Sequence, residues 1–372
     1  MPQRLDNTSA SAALPATSDA RTLLSATYCY LWARLTAASA LAWKNSARER
    51  GRLRSQTLPV SFRVDLSQTR TQTQTQTQTH TQLDIGGSLE LFRRSGDDLI
   101  DRWDGQQLIR AAFAGNGGWV PFVARATGSV AAPAFDVCAA DENAVGYLTS
   151  VVANTFMPAP AGYTRLLDED RVLARLDARF PGIRQIRQLD VFTALIRCIS
   201  AQQVNLRWAV TTRRRLAEAF GVPYSLDGET VYALDPERIA SVDPAAIRAL
   251  QFTTSKAVSI VATARAMVEG GLSLEDLSGL EDELVIERLV RIRGIGRWSA
   301  DWVLARTLGR PTVVAGDLGV RKAVGLAYLG TPLPSEPEVR AATAHWGASA
   351  GVAQALLLHA LGEGALTRAP AG

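Results

Sequence analysis

Residues 282–325 read DELVIERLVRIRGIGRWSADWVLARTLGRPTVVAGDLGVRKAVG. Val285, Leu289 and Ile292 fall at i, i+4 and i+7, the spacing of one apolar helix face. Trp298, Trp302 and Ala305 repeat that spacing in the next segment. Between them stand Gly294, Ile295 and Gly296. Glycines there allow a tight turn at positive φ, which a residue with a Cβ adopts only at a cost. The stretch therefore reads as two helices joined by a glycine hairpin. A short apolar run, 312–315, leads to Gly316 and Asp317, and a third helix is expected over 318–328 with Asp317 as its N-cap.

The full pattern, Leu289-x-x-Ile292-x-Gly294-Ile295-Gly296-x-Trp298-Ser299-Ala300, is more specific than a glycine turn between helices. The first turn of the second helix leaves backbone N–H groups without an intrahelical partner, and such groups hold anions. Arg293 and Arg297 add positive charge at the same place. The hairpin is thus expected to grip a phosphate with Arg293, Gly294, Ile295, Gly296, Arg297 and Ser299. Asp317 has two compatible roles, as a helix cap and as a carboxylate held at the mouth of a pocket. The dipole of the helix it caps favours negative charge at that point.

Working outward, the 372-residue chain is long enough for two or three domains. It is 47% hydrophobic and 20% charged, with a formal net charge of +4. The balance is mildly basic, compatible with nucleic acid but insufficient to argue for it. Cys29, Cys138 and Cys198 are far apart, with no zinc-ligand spacing and too few for a four-cysteine iron–sulfur cluster. His80, His345 and His359 are too scattered to suggest a metal site.

Three regions are expected. Residues 1–55 form an N-terminal extension, with an apolar segment at 23–43 followed by a basic run. A dispensable extension, a targeting leader and a membrane contact are all open readings of it. Residues 56–156 form a small antiparallel sheet-plus-helix domain. Strands are expected at 60–66, 83–92, 107–113, 119–127 and 134–138, and a helix capped by Asp141. A Thr-Gln repeat at 69–82 has no apolar face and reads as an inserted loop. Residues 157–372 read as all-α, beginning with a helix over 168–178, and the fold class as a whole is α+β. The helix expected at 254–269 ends at Gly270-Gly271.

Three segments, DVFTALIRCISAQQV (190–204), RGIGRWSADWVLARTLGRP (293–311) and AGDLGVRKAV (315–324), resemble the helix-hairpin-helix DNA glycosylase superfamily, in its alkylpurine branch, the DNA-3-methyladenine glycosylases II. The resemblance covers about 165–361. It implies that Asp317 is catalytic, and that Gly294, Ile295 and Gly296 hold a DNA phosphate. It also implies that Trp298 is an aromatic on the pocket side and that Gln202 lies close to the lesion pocket. A sodium or potassium ion shared with the phosphate is implied at the backbone of Ile292 and Gly294, with no side-chain metal ligand and no small-molecule cofactor. Bifunctional members carry a Schiff-base lysine where this sequence has Trp298, which implies a monofunctional enzyme. The closing helix departs from the family: its usual Pro, Arg and aromatic positions hold Ala348, Ala350 and Leu358, so the pocket wall, Leu358 included, is less aromatic.

The expected function is therefore base-excision repair. A monomer binds double-stranded DNA containing damaged bases and flips an alkylated purine of the 3-methyladenine or 7-methylguanine type into a pocket between the helical and sheet domains. It then hydrolyses the N-glycosidic bond, leaving an abasic site. Excision of a deaminated purine or uracil, and a non-catalytic DNA-binding module, stand as alternatives. The expected location is the cytoplasm, with the nucleoid, in a bacterium, or the nucleus in a eukaryote.

Overall fold

β1 (Val60–Asp65) opens a five-stranded antiparallel sheet; a computed structural model describes the protein over residues 60–67, 82–115 and 118–366. The extension at 1–55, with its apolar segment, and the Thr-Gln repeat up to residue 81 lie outside the described residues. Helix α1 (Ile85–Arg94) follows, then β2 (Arg102–Trp103), β3 (Gln107–Phe113), β4 (Trp119–Ser129) and β5 (Ala132–Ala139). The spatial order is β1-β5-β4-β3-β2, with Phe62 opposite Val137 and Ala124 opposite both Val137 and Leu108. Helix α2 (Val145–Ala153) closes one face over Val64, Leu108, Phe122 and Phe135.

The strand expected at 83–92 is α1 instead. Asp84 accepts a hydrogen bond from the Gly87 N–H at 2.8 Å, an N-cap. Ile85, Ser88 and Leu89 then bury at i, i+3 and i+4, so tertiary packing imposes the helical period on a segment of weak helix propensity.

The helical region begins with α3 (Tyr163–Glu169) and α4 (Arg171–Arg179). The single helix expected over 168–178 is broken at Asp170, whose extended backbone and side chain cap α4 through the N–H groups of Val172 and Leu173. Next come α5 (Val191–Ala201) and α6 (Leu206–Phe220). Two further strands, β6 (Val222–Leu226) and β7 (Glu229–Ala233), correct the all-α expectation. Asp227 (φ 51°) and Gly228 (φ 78°) make the two-residue turn of this hairpin. Its apolar partners come from the sheet, since Leu226 and Val231 pack on Ile109 and Val123.

The chain continues through α7 (Pro236–Ala240), α8 (Pro244–Ala249), α9 (Thr254–Glu269), α10 (Leu274–Ser278), α11 (Asp282–Val290) and α12 (Arg297–Val303). It ends with α13 (Leu318–Val324), α14 (Glu336–Thr343) and α15 (Ala350–Gly362). Two helical cores result. In the first, Leu195, Ile196 and Ile199 of α5 meet Val285, Leu289, Ile295, Ala300 and Val303. In the second, Leu173 and Leu176 of α4 meet Val320 and Val324 of α13 and Leu356 and Leu357 of α15. The glycine hairpin belongs to the first core and the helix that Asp317 caps to the second.

Candidate active site

The hairpin is anchored from its apolar side. Ile292 and Ile295 are buried in the first core, and the Ile295 N–H donates to the Ile292 carbonyl at 3.0 Å. Positive φ was expected at both glycines and occurs at Gly294 alone, at 85°. A Cβ on Gly294 would stand 2.0 Å from Ser259 Oγ, because α9 packs directly against the turn. Gly296 adopts φ −112° and ψ −178°, extended backbone open to any residue, and a Cβ there would meet nothing within 4 Å. The protein's own packing demands glycine at 294. At 296 glycine keeps clear the outward approach to the N–H groups of Arg297, Trp298 and Ser299, which have no intrahelical partner.

Gln202, expected beside the pocket, braces the hairpin: its Nε2 donates to the Gly294 carbonyl at 3.0 Å. The adjacent Gln203 is exposed with φ 54°, an uncommon conformation for a non-glycine residue. Lys256 Nζ donates to the Ser200 carbonyl at 2.9 Å, so the end of α5, the start of α9 and the hairpin converge. Arg293 is exposed and has no ion-pair partner among the described residues. Arg297 is held by Asp301 at 2.8 Å, and Asp301, almost fully buried, also takes Arg340 at 2.7 Å. Ser299, expected in the phosphate grip, is turned inward. Its side chain is on the inner face of α12 and only 1% exposed, leaving its backbone N–H as the group able to meet a phosphate.

From α12 the chain passes into a π-helical turn over Leu304–Leu308, a wider winding that frees backbone carbonyls. Those of Ala305, Arg306 and Thr307 accept from Gln185 Nε2 at 2.6 Å, the Gln188 N–H at 2.8 Å and Arg187 Nη1 at 3.0 Å. Trp298, Trp302 and Arg306, at i, i+4 and i+8, form one stripe. The Trp298 ring lies against Gly316, with Cδ1 3.4 Å from where a Cβ would be. The Arg306 guanidinium carbon is 5.3 Å from the centre of the Trp302 ring.

Asp317 is fixed at the start of α13. Its Oδ1 accepts from the N–H groups of Gly319 at 2.8 Å and Val320 at 3.1 Å, and its own N–H donates to the Val314 carbonyl at 2.9 Å. The Val314 N–H in turn donates to buried Gln354 at 2.9 Å, which locks the apolar run in place. Oδ2 has no partner among the described residues. Leu358 Cδ2 comes within 3.0 Å of the Cβ position of Gly319, so it lies over the first turn of α13.

Trp298 and Leu358 thus lie against Gly316 and Gly319, on either side of Asp317 in the chain. They stand at the seam between the two helical cores, with Trp302 packed on the first and Leu358 on the second. This differs from the expected crevice between helical and sheet domains, and the reason is that 159–183 returns to pack with 315–366. Trp346 is buried in the second core and takes no part.

Sequence reasoning missed Arg306, although continuing the stripe one step beyond Trp302 would have found it. Burial pushes its guanidinium below the ordinary arginine value, while Asp317 and Cys198 pull it back. Burial also pushes the Cys198 thiol up, although Arg306 opposes this, so Cys198 is a buried neutral thiol.

Residues 196–348 match the family model described as HhH-GPD superfamily base excision DNA repair protein. A DNA-3-methyladenine glycosylase of Bacillus subtilis is 32% identical over 177 residues, 47% of this chain and 58% of that protein. DNA-3-methyladenine glycosylase 1 of Schizosaccharomyces pombe is 31% identical over 166 residues, 44% of this chain and 68% of that protein. The chain thus spans little more than half to two thirds of these relatives. Among solved structures, a 3-methyladenine DNA-glycosylase from Archaeoglobus fulgidus has a similar fold, with a TM-score of 0.67 at 24% identity, over 75% of this chain and 96% of that one.

Proposed function

The chain belongs to the HhH-GPD superfamily of base excision DNA repair proteins, in the alkylpurine branch, and we propose that it is a monofunctional DNA glycosylase that excises alkylated purines from double-stranded DNA. The observation that carries this reading is Asp317. One carboxylate oxygen is used to fix it at the start of α13, and the other is left free between Trp298 and Leu358.

The hairpin N–H groups at 296–299 and the exposed Arg293 hold phosphates, so affinity falls steeply with salt. A flipped base enters the seam. Trp298 stacks on it, a contact worth about 0.5–2 kcal/mol for a cationic alkylated base. Alkylation has already made that base a good leaving group, so Asp317 acts on the sugar and the water. It stabilises the positive charge that grows on the sugar as the C1′–N bond breaks, and it receives the attacking water.

A monovalent cation fits the carbonyls of Ile292 and Gly294. Each is a neutral oxygen that already accepts one hydrogen bond, from Ile295 and Gln202 respectively, and has a second lone pair. Its chemistry there is to add positive charge beside the phosphate.

The lysines support the monofunctional reading. The sequence has three, Lys44, Lys256 and Lys322. Of the two described, Lys256 is bonded to the Ser200 carbonyl and Lys322 is exposed on α13. Borohydride trapping with lesion-containing duplex is expected to yield no covalent adduct, and an adduct on Lys256 would overturn the monofunctional assignment. The glycosylase reading itself rests on release of 3-methyladenine from methylated DNA, abolished in Asp317→Asn while duplex binding persists. A variant that releases the base at the wild-type rate would sink it.

A further inference from the structure

Among the described residues, the four buried arginines each donate to a carboxylate or a carbonyl: Arg110 to Asp101, Arg184 to the Ile183 carbonyl, Arg197 to Asp98 and Asp101, and Arg213 to Asp98. Arg306, half-buried, differs from them. Its Nε is sealed from solvent and has no acceptor, and no side-chain hydrogen bond or ion pair of its guanidinium is present among the described residues. An arginine keeps its charge under all ordinary conditions, and a sequestered donor without an acceptor is costly. Asp317 is the nearby anion, yet no ion pair joins the two.

The position limits what Arg306 can meet. It continues the Trp298–Trp302 stripe and lies against the Trp302 ring, two turns beyond the hairpin. DNA phosphates run along the outer surface at the hairpin, so the part of the substrate that reaches this depth is the flipped base. A guanidinium has only donors, arranged as a fork. The purine edge that offers two neighbouring acceptors is the O6/N7 edge of a 6-oxopurine; an adenine presents an amino donor at position 6. We propose that Arg306 is a specificity-determining residue of the base pocket, selecting lesions with an open O6/N7 edge, such as hypoxanthine, over bases that lack it, such as 3-methyladenine and 7-methylguanine.

This inference rests on the glycosylase reading of the same site and adds a charge preference to it. For a neutral base such as hypoxanthine, the C1′–N9 bond breaks and the electron pair stays with the purine, spread over N7 and O6 beside Arg306. The water oxygen bonds to C1′, its proton passes to solvent by way of Asp317, and the departing base takes up a proton from solvent. A cationic alkylated base, 3-methyladenine or 7-methylguanine, gains no paired contact from Arg306 and is opposed by its charge.

The test uses the full chain and its Arg306→Met and Arg306→Lys variants in single-turnover assays. The substrates are a duplex with one hypoxanthine, and methylated DNA from which 7-methylguanine and 3-methyladenine are both counted. The ratio of hypoxanthine to 3-methyladenine release is expected to fall about 10- to 100-fold in Arg306→Met, the size of one bidentate contact, while 7-methylguanine, whose N7 carries the methyl group, follows 3-methyladenine. Arg306→Lys, which keeps charge but loses the fork, is expected to restore part of it. Removing an unpartnered charge should leave the urea midpoint of Arg306→Met equal to or above wild type, so a ratio change is not a folding defect. An unchanged hypoxanthine ratio, or an equal fall for all three bases, overturns the inference and leaves the glycosylase reading standing. Wild-type protein that releases none of the three overturns both.

Discussion

Asp98, Asp101, Arg110, Arg197 and Arg213 are buried between the sheet and helices α5 and α6, with nitrogen–oxygen distances of 2.5–2.9 Å in every pair. Asp317 and Arg306 are close enough to influence each other electrostatically, yet they share no hydrogen bond and each retains unused capacity. The same two residue types thus meet opposite fates in one chain. In the first cluster every charge is paired with an opposite one, although the Arg197 Nε has no acceptor among the described residues, and the pairing fixes how the sheet sits on the helices. At the seam the charges are held apart by cap bonds on one side and an aromatic ring on the other. The difference is one of charge: in the network each ion meets its counter-ion, and at the seam Arg306 has no ion-pair partner among the described residues.

The sharpest way to break this comparison is to remove one partner from the paired network. Arg197→Met leaves Asp98 and Asp101 short of a cation in a buried place, and a stability loss of about 3–5 kcal/mol is expected from urea unfolding. A loss under about 1 kcal/mol would mean that the network does not hold the two regions together. At the seam the corresponding change should do the reverse. Asparagine caps a helix as well as aspartate. Asp317→Asn should therefore stay within about 0.5 kcal/mol of wild type in stability, while base release falls by roughly 100- to 1,000-fold or more, about 3–4 kcal/mol in the transition state. A large loss of stability would return Asp317 to a purely structural role.

Acid offers a smaller and graded test. Burial by itself pushes the Asp98 carboxyl up, but the charges of Arg197 and Arg213 overcome it and hold the group at about 2, against an ordinary value of 3.8. A carboxyl depressed on folding contributes stability that is complete above its unfolded value and lost as pH falls through its folded one. Roughly 2 kcal/mol should therefore drain away between about pH 4 and pH 2, read as a falling urea midpoint. In Arg197→Met the main opposing charge is gone, and the loss should move to higher pH. A wild-type midpoint that is flat across this window would show that Asp98 is not held by its arginines.

Much of this contrast was legible in the sequence, for local reasons. The hairpin, its two helices and the Asp317 cap are all set within 44 residues by apolar spacing and cap chemistry, and they appear where expected. What escaped depends on distant partners. Residues 83–92 become helical because Asp84 caps them and the sheet core takes Ile85 and Leu89. The β6–β7 hairpin carried an Asp-Gly turn signal, but its apolar partners Ile109 and Val123 are over a hundred residues away. The inward turn of Ser299 and the bracing role of Gln202 depend on which neighbour packs against each. Arg306 was visible as a stripe position, but its lack of a partner exists only in three dimensions.

The hairpin repeats the comparison on the scale of two glycines and allows the finest test. Gly294 is settled by the protein itself, through its φ of 85° and the contact with Ser259. Gly296 is not, since its backbone is extended and the space around it is empty. Serine is a favourable N-cap, so Gly296→Ser should change stability by no more than a few tenths of a kcal/mol, in the direction of a gain. The same side chain projects into the approach to the N–H groups at 297–299. Duplex affinity at fixed salt should fall several-fold, with the salt dependence preserved because no charge has been removed. Undiminished affinity would mean that no phosphate comes close at 296, and the grip would then lie with Arg293 and the flank of the turn. A loss of stability matching the loss of affinity would mean that 296, like 294, belongs to the fold.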